Sequence, residues 1–417
     1  ESIPETWNLL QLGSLFSEHK HKNIGMQSSN LLSLSYGKII RKDINTTDGL
    51  LPESFEGYNV IGAGDIVLRL TDLQNDQRSL RVGLCGENGI ITSAYTTLRR
   101  RNDAISSKYF YYLLHSYDVR KGFYGMGAGV RQGLNYAGVR KIMLAVPSER
   151  EQTAIAECLD QKIAQVDALI ANVQAQIEKL KAYKQSLITE VVTKGLDPNA
   201  PMKDSGVEWL GAVADTRRIF RLKYLLNFPM QYGANESGDK YTDGSVRYIR
   251  ITDITADGKL KDDENNQYIS DTIASEYTLK DGDVLFARSG GTVGKSFLFR
   301  KEYGQCAFAG YLIKAECNQK VLLPEYLIYY TQSSLYNLWK NMIFIQATIQ
   351  NIGANKYSNM EIPIPTIAEQ ESIVEHLKTK CSQIDQLISL KESKIEKLQQ
   401  YKRSLIYEYV TGKKEVV

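Results

Sequence analysis

The stretch PSEREQTAIAECLDQKIAQVDALIANVQAQIEKLKAYKQSLITEVVT (residues 147–193) returns 218 residues later as PTIAEQESIVEHLKTKCSQIDQLISLKESKIEKLQQYKRSLIYEYVT (residues 365–411). The two align without a gap, with about half the positions identical. Matches of E-Q, D-x-L-I, I-E-K-L, Y-K and S-L-I in one register exceed what shared helical composition produces, so the chain is a duplication. In the first copy Leu159, Ile163, Val166, Ile170, Val173, Ile177, Leu180, Leu187 and Val191 fall on alternating steps of four and three, with one heptad skipped at Lys184. The second copy runs Leu377, Cys381, Ile384, Ile388, Ile395, Leu398, Leu405 and Tyr409. That spacing is a coiled-coil seam. Lys184 and Lys402 share one seam slot, where a lysine either fixes register or snorkels to solvent near a helix end.

A seam needs a partner, and chain order supplies one. Each helical segment follows a proline suited to a helix start, Pro147 or Pro365. The order globular unit, helix, globular unit, helix predicts an antiparallel helix pair with an approximate two-fold axis. About 45 residues at ~1.5 Å each make a strut of roughly 65 Å, expected to hold two globular units a fixed distance apart. The expected class is α+β, with units at 1–146 and 196–364 and helical spacers at 147–195 and 365–417.

The repeat extends weakly into the globular units. GDIVLR from Gly64 matches GDVLFA from Gly282, YFYYLLHS from Tyr109 matches YLIYYTQS from Tyr326, and Gln132 falls opposite Gln350. SNLLSLSYGKIIRKD and SVRYIRITDITADGKL carry strand–turn–strand signals. SSKYFYYLLHSYDVRKGF and LPEYLIYYTQSSLYNLWK are expected to be aromatic-rich helices whose tyrosines face a sheet.

One stretch tests an enzymatic reading. RSGGTVGKS (residues 288–296) ends like a phosphate-binding loop, but Ser289 stands where its first glycine belongs, and the following SFLFR favours a strand. Without a helix N-terminus there is no array of free N–H groups for a phosphate. The expectation is a hairpin, in which Gly294 matches Gly83 of RVGLCG and Lys295 and Ser296 lack counterparts. Methyltransferase, nuclease and G-x-S-x-G signatures are absent too. The five cysteines are widely spaced without C-x-x-C, which argues for a reducing, cytoplasmic setting and against structural zinc. His19 and His21, flanked by Lys20 and Lys22, are expected to be solvated loop residues rather than metal-bound. No apolar run approaches the ~20 residues that span a bilayer.

Missing chemistry on a duplicated scaffold points to recognition. Net charge is only +3, so any polyanion surface must be a local patch. Basic and amide residues on expected turns and strand ends are the candidates: Arg41, Lys42, Arg69, Arg78, Arg81, Lys121, Arg131 and Gln132 in the first unit; Arg247, Arg250, Lys259, Arg288, Lys295 and Gln350 in the second. Such residues suit phosphate positioning and base-edge reading, although each alone also fits ordinary surface charge or loop bonding. A helix-paired scaffold that grips proteins is the rival reading.

The whole chain resembles the specificity subunits of type I restriction–modification systems. The resemblance rests on the P-x-x-x-E-Q helices with I-E-K-L-x-x-Y-K-x-S-L-I, the GDI and GDV strands, and the lead-in MKDSGVEWLG (residues 202–211). It implies two target recognition domains, each reading half of a split, asymmetric double-stranded DNA site, with prokaryotic cytoplasmic residence. The helices would set spacing and dock two modification (methyltransferase) subunits. No cofactor would bind this chain. The partner would use S-adenosylmethionine to methylate adenine, and a translocating restriction subunit, where present, ATP and Mg. One departure stands out: Pro4 and Trp7 of the first unit become Ala214 and Arg217 in the second, which puts its opening strand in question.

Overall fold

The computed structural model describes residues 3–45, 52, 54–73, 80–126, 133–255, 258–345 and 351–416. The chain divides into unit 1, Glu1–Gln174 with Glu392–Val417, and unit 2, Ala175–Lys391. Each repeat helix is continuous, Glu149–Lys194 and Ile367–Val410. The prolines lie one residue before the N-caps rather than inside the helices. Ser148 and Glu151 form a capping box: the Glu151 N–H donates to Ser148 Oγ (3.3 Å) and the Ser148 N–H to Glu151 Oε2 (3.0 Å). Thr366 caps Glu369 in the second copy.

Within unit 1, Ile155, Ala156 and Leu159 near the start of the first helix share a core with Leu405, Ile406, Tyr409 and Val410 near the end of the second. Within unit 2 the roles reverse, and Ile188, Val191 and Val192 pack with Ile373, Leu377 and Cys381. The helices are therefore antiparallel in each unit. Of the expected seam, Leu159, Val166, Val173, Ile177, Val191, Leu377, Cys381, Ile384, Leu405 and Tyr409 are buried. Ile163, Ile170, Leu180, Leu187, Ile388, Ile395 and Leu398 are half-buried, as a two-helix contact leaves one side open. At the helix ends burial widens to Ile188, Val192, Ile406 and Val410, because globular elements cover a second face. The two seam lysines are not loosely solvated. Lys402 Nζ donates to Asp167 Oδ1 (2.6 Å) and Lys184 Nζ to Asp385 Oδ2 (2.7 Å), equivalent pairs across the helices of each unit, which favours the register role.

Both units carry one frame. Asn8–Gln11 pairs antiparallel with Met143–Val146, Asn8 opposite Val146; Arg218–Arg221 pairs with Glu361–Ile364, Arg218 opposite Ile364. The opening strand of unit 2 is thus present in the same register. An antiparallel sheet follows in the order Phe16–Glu18, Thr96–Arg100, Ile66–Leu68, Val82–Leu84. Its counterpart has the order Gln231–Tyr232, Leu312–Ala315, Val284–Ala287, Ser296–Leu298. Helix Ser107–Val119 packs Tyr109, Phe110 and Leu114 on the first sheet. In unit 2 the equivalent helix stops at Gln332 and resumes over Ser334–Ile345, Ser333 Oγ donating to Tyr330 O (2.6 Å) at the break. Tyr109 Oη donates to Ala145 O and Val410 O; Tyr326 Oη to Pro363 O and Val192 O. One hydroxyl thus ties a helix, a strand and the far end of the other repeat helix.

The departure at the opening strand has a physical solution. In unit 1 the buried Trp7 indole and the Ser148 cap reach Glu151, and the Ser148 hydroxyl, its N–H and Trp7 hold that carboxyl below its usual range. In unit 2 Arg217 takes the slot, fully buried, and its Nη1 donates to Glu369 Oε1 (2.7 Å), the residue equivalent to Glu151. Gly195 is required there, since a Cβ at its positive φ would sit 2.8 Å from Arg217 Nη2.

Two sequence expectations need correction. Val284 lies opposite Leu298 and Ile66 opposite Leu84, so Gly83 corresponds to Phe297, not Gly294. Gly83 makes room for Leu34 and Ile39, whereas Gly294 turns the chain at φ +84°. The second strand of SVRYIRITDITADGKL is also misplaced. Ser245–Ile249 pairs with Gln267–Ser270, and Ile254 and Leu260 form an isolated bridge. The other expected hairpin forms, Leu32–Ser35 with Lys38–Arg41, turning through Tyr36 and Gly37 at positive φ.

Candidate nucleic-acid interface

The expected hairpin replaces a phosphate loop at 288–296. Strand Val284–Ala287 runs into a 3₁₀ turn at Gly290–Thr292 and returns as Ser296–Leu298, with no helix after Ser296. Among the described residues no three His, Cys, Asp or Glu side chains could hold a metal ion, and no helix is long and apolar enough to cross a membrane.

The basic candidates separate by what their side chains already do. Arg81 is buried inside unit 1 and serves the fold: its guanidinium donates to Arg69 O, Thr71 O, Asp72 O and Tyr124 Oη, closing the half-buried Arg69 segment. That burial removes Arg81 as a surface contact. Arg41 makes a two-pronged ion pair with Glu87, which lifts the guanidinium and holds the Glu87 carboxyl below its usual range. Arg247 reaches Lys261 O and Asn266 Oδ1, and Arg250 pairs with Asp253 Oδ1 (2.9 Å). Lys121 lies over the Tyr124 ring (4.5 Å), and the Lys259 N–H donates to Thr255 Oγ1 (2.9 Å) in a turn. Lys42 and Lys295 are exposed, and Arg288 is half-buried over Tyr232. Arg78, Arg131, Gln132 and Gln350 lie outside the described residues.

Arg288 and Lys295 are brought together at the two ends of one turn, Ala287 N–H donating to Lys295 O (2.8 Å). Tyr232, the exposed Tyr311 and the half-buried Lys340 join them, and none of the three was singled out from sequence. A signal was present. No acidic residue occurs between Asp283 and Glu302, between Glu302 and Glu316, or between Glu325 and Glu361. Such runs leave a basic surface unneutralised.

A cleft of about 700 Å³ in unit 1 lies among Tyr111, His115, Lys121, Lys402 and Arg403. Burial, then Lys402 and Arg403, push His115 down to about 4.

One frame is thus built twice, with basic residues on its loops and strand ends. Comparison with known proteins places it. Residues 218–400 match the family model "Type I restriction modification DNA specificity domain". The chain is 23% identical to the Type I restriction enzyme MjaVIII specificity subunit of Methanocaldococcus jannaschii, covering 99% of this chain and 93% of the relative. It is 23% identical to the EcoBI specificity subunit of Escherichia coli, over 70% of this chain and 63% of the relative. Among solved structures, a chain from work on complex assembly and conformational transition of the type I R-M system superposes with a TM-score of 0.74 at 15% identity, covering 99% of both chains. The HsdS subunit from Thermoanaerobacter tengcongensis gives 0.50 at 14%, covering 99% and 98%. Along its length the chain is thus similar to type I restriction–modification specificity subunits, and residues 218–400 match their DNA specificity domain.

Proposed function

We propose that residues 1–146 and 196–364 each read one half of a split, asymmetric DNA site, and that the helical segments 147–195 and 365–417 fix the gap between the halves. The observation that carries this reading is one frame built twice on the same helices, with outer loops that differ. Two unlike readers on a common mount select two unlike half-sites, and a change in their separation turns one reader off its groove face.

The helices would also dock two copies of the modification subunit, which would bring S-adenosylmethionine and methylate adenine; a restriction subunit would add ATP and Mg. Support comes from exposed apolar residues that repeat. Leu169 and Tyr401 stand exposed beside the Lys402–Asp167 pair of unit 1, and Leu387 and Tyr183 beside the Lys184–Asp385 pair of unit 2. Duplicated anchors suit two identical partners.

Removing one heptad from both helices should shorten the preferred gap and leave both half-sites intact, as read by binding to duplexes of varied spacer length. An unchanged gap would overturn the spacing role. Exchanging residues 196–364 should alter one half-site only. A salt-dependent gel shift with the modification subunit separates DNA reading from a protein-gripping scaffold.

A further inference from the structure

We infer that Arg288 is a guanine-reading residue of unit 2, presented at the foot of the 288–295 turn and held in place by Tyr232. This rests on the reading of unit 2 as a half-site reader. Arg288 is anchored through its backbone on both sides: its N–H donates to Tyr311 O (2.9 Å) and its carbonyl accepts from Ile352 N–H (2.9 Å). Its guanidinium carbon lies 5.2 Å from the Tyr232 ring centroid, within cation–π range. The ring is itself fixed, because Tyr232 Oη accepts from the Ala354 N–H (2.9 Å). So the side chain is oriented without a carboxylate partner among the described residues, unlike Arg41 and Arg250.

The setting suits a groove. Cβ atoms added at Gly290 or Gly291 would meet nothing within 4 Å, so the tip of the turn is open. Lys295 is exposed at the other end of the turn, and Lys340 packs beneath Gly294. The segments gathered here carry no carboxylate between Asp283 and Glu302 or between Glu325 and Glu361. The exposed Lys295 supplies a hydrated point charge suited to a phosphate. The planar five-donor fork of an oriented arginine matches guanine O6 and N7.

The test uses the whole chain assembled with its modification subunit and a duplex library randomised in both half-sites, with methylated positions mapped. Arg288→Ala should lower the preference for guanine at one position of one half-site by roughly 10- to 100-fold and leave the other half-site unchanged. Arg288→Lys keeps the charge and tests the fork; it should relax the same position while overall binding persists, with melting unchanged. Tyr232→Ala should relax that position in part. A uniform loss of binding with the motif intact would mark Arg288 as a phosphate contact and overturn the inference. So would an unchanged motif in Arg288→Ala. If exchanging unit 2 switches a half-site while Arg288→Ala changes nothing, only this inference fails; if exchange changes neither half-site, the reading of unit 2 fails with it.

Discussion

Unit 1 and unit 2 meet the start of their long helices in different chemical terms. Unit 1 offers Glu151 a neutral indole from Trp7; unit 2 offers Glu369 a buried guanidinium from Arg217. The tyrosine that bonds two carbonyls, the glutamine that satisfies the proline carbonyl, and the seam lysine keep their places in both. The frame therefore demands a donor at that glutamate, while the donor's charge is free to vary. The outer sheets vary further. Unit 2 has a three-stranded sheet with a parallel pair, Arg247 opposite Cys306, where unit 1 has two antiparallel pairs joined by a parallel bridge between Leu31 and Ile90.

This contrast can be broken by unequal responses. Glu369→Ala strands a buried guanidinium and should destabilise unit 2 by about 3 kcal/mol. Glu151→Ala removes a cap and a neutral contact and should cost unit 1 only about 1 kcal/mol. Urea unfolding followed through Trp7 for unit 1, and through Trp209 and Trp339 for unit 2, separates them; equal losses would contradict the contrast.

Acid should come next and weaken unit 1 through His115, which has Gln332 as its counterpart in unit 2. The folded ring titrates at about 4 and the unfolded one near 6.5, so only the unfolded chain gains the proton in between. The contribution is full above about pH 6.5 and is lost as pH falls toward 4, on the order of 2 kcal/mol. The Trp7 signal of His115→Gln should lose part of its slope over that window, with His19 supplying what remains in the same direction.

Tyr109→Phe and Tyr326→Phe should each cost ~1–2 kcal/mol and by similar amounts, each removing the hydroxyl that two carbonyls share. Unequal values would show that the shared tie is not equally used. The smallest effect is expected for Lys184→Met and Lys402→Met, within ~0.5 kcal/mol, because these ion pairs are partly open to water.

The helices were legible because burial along them follows a fixed period, and the repeat fixed their partner. The hairpin at 288–296 was legible because Ser289 and SFLFR contradict a phosphate loop. Pairing across loops was not. Gly83 and Gly294 look alike in sequence, yet one makes room for Leu34 and Ile39 while the other turns the chain. Nor does a letter say whether an arginine is spent inside the fold: Arg81 is, buried and bonded to three carbonyls and Tyr124, whereas Arg288 is half-buried over Tyr232 among carboxylate-free segments.

The division of the chain also has a consequence for synthesis. Unit 2 is one uninterrupted stretch, whereas unit 1 needs Leu405, Ile406, Tyr409 and Val410 to close its core. On a ribosome that delivers residues in order, the lobe begun first must stay unfinished until all of unit 2 has emerged, so the middle of the chain can complete before its beginning. Nascent unit 1 therefore spends the longest time with Tyr109 and its neighbours uncovered, and it is the lobe with most need of a chaperone.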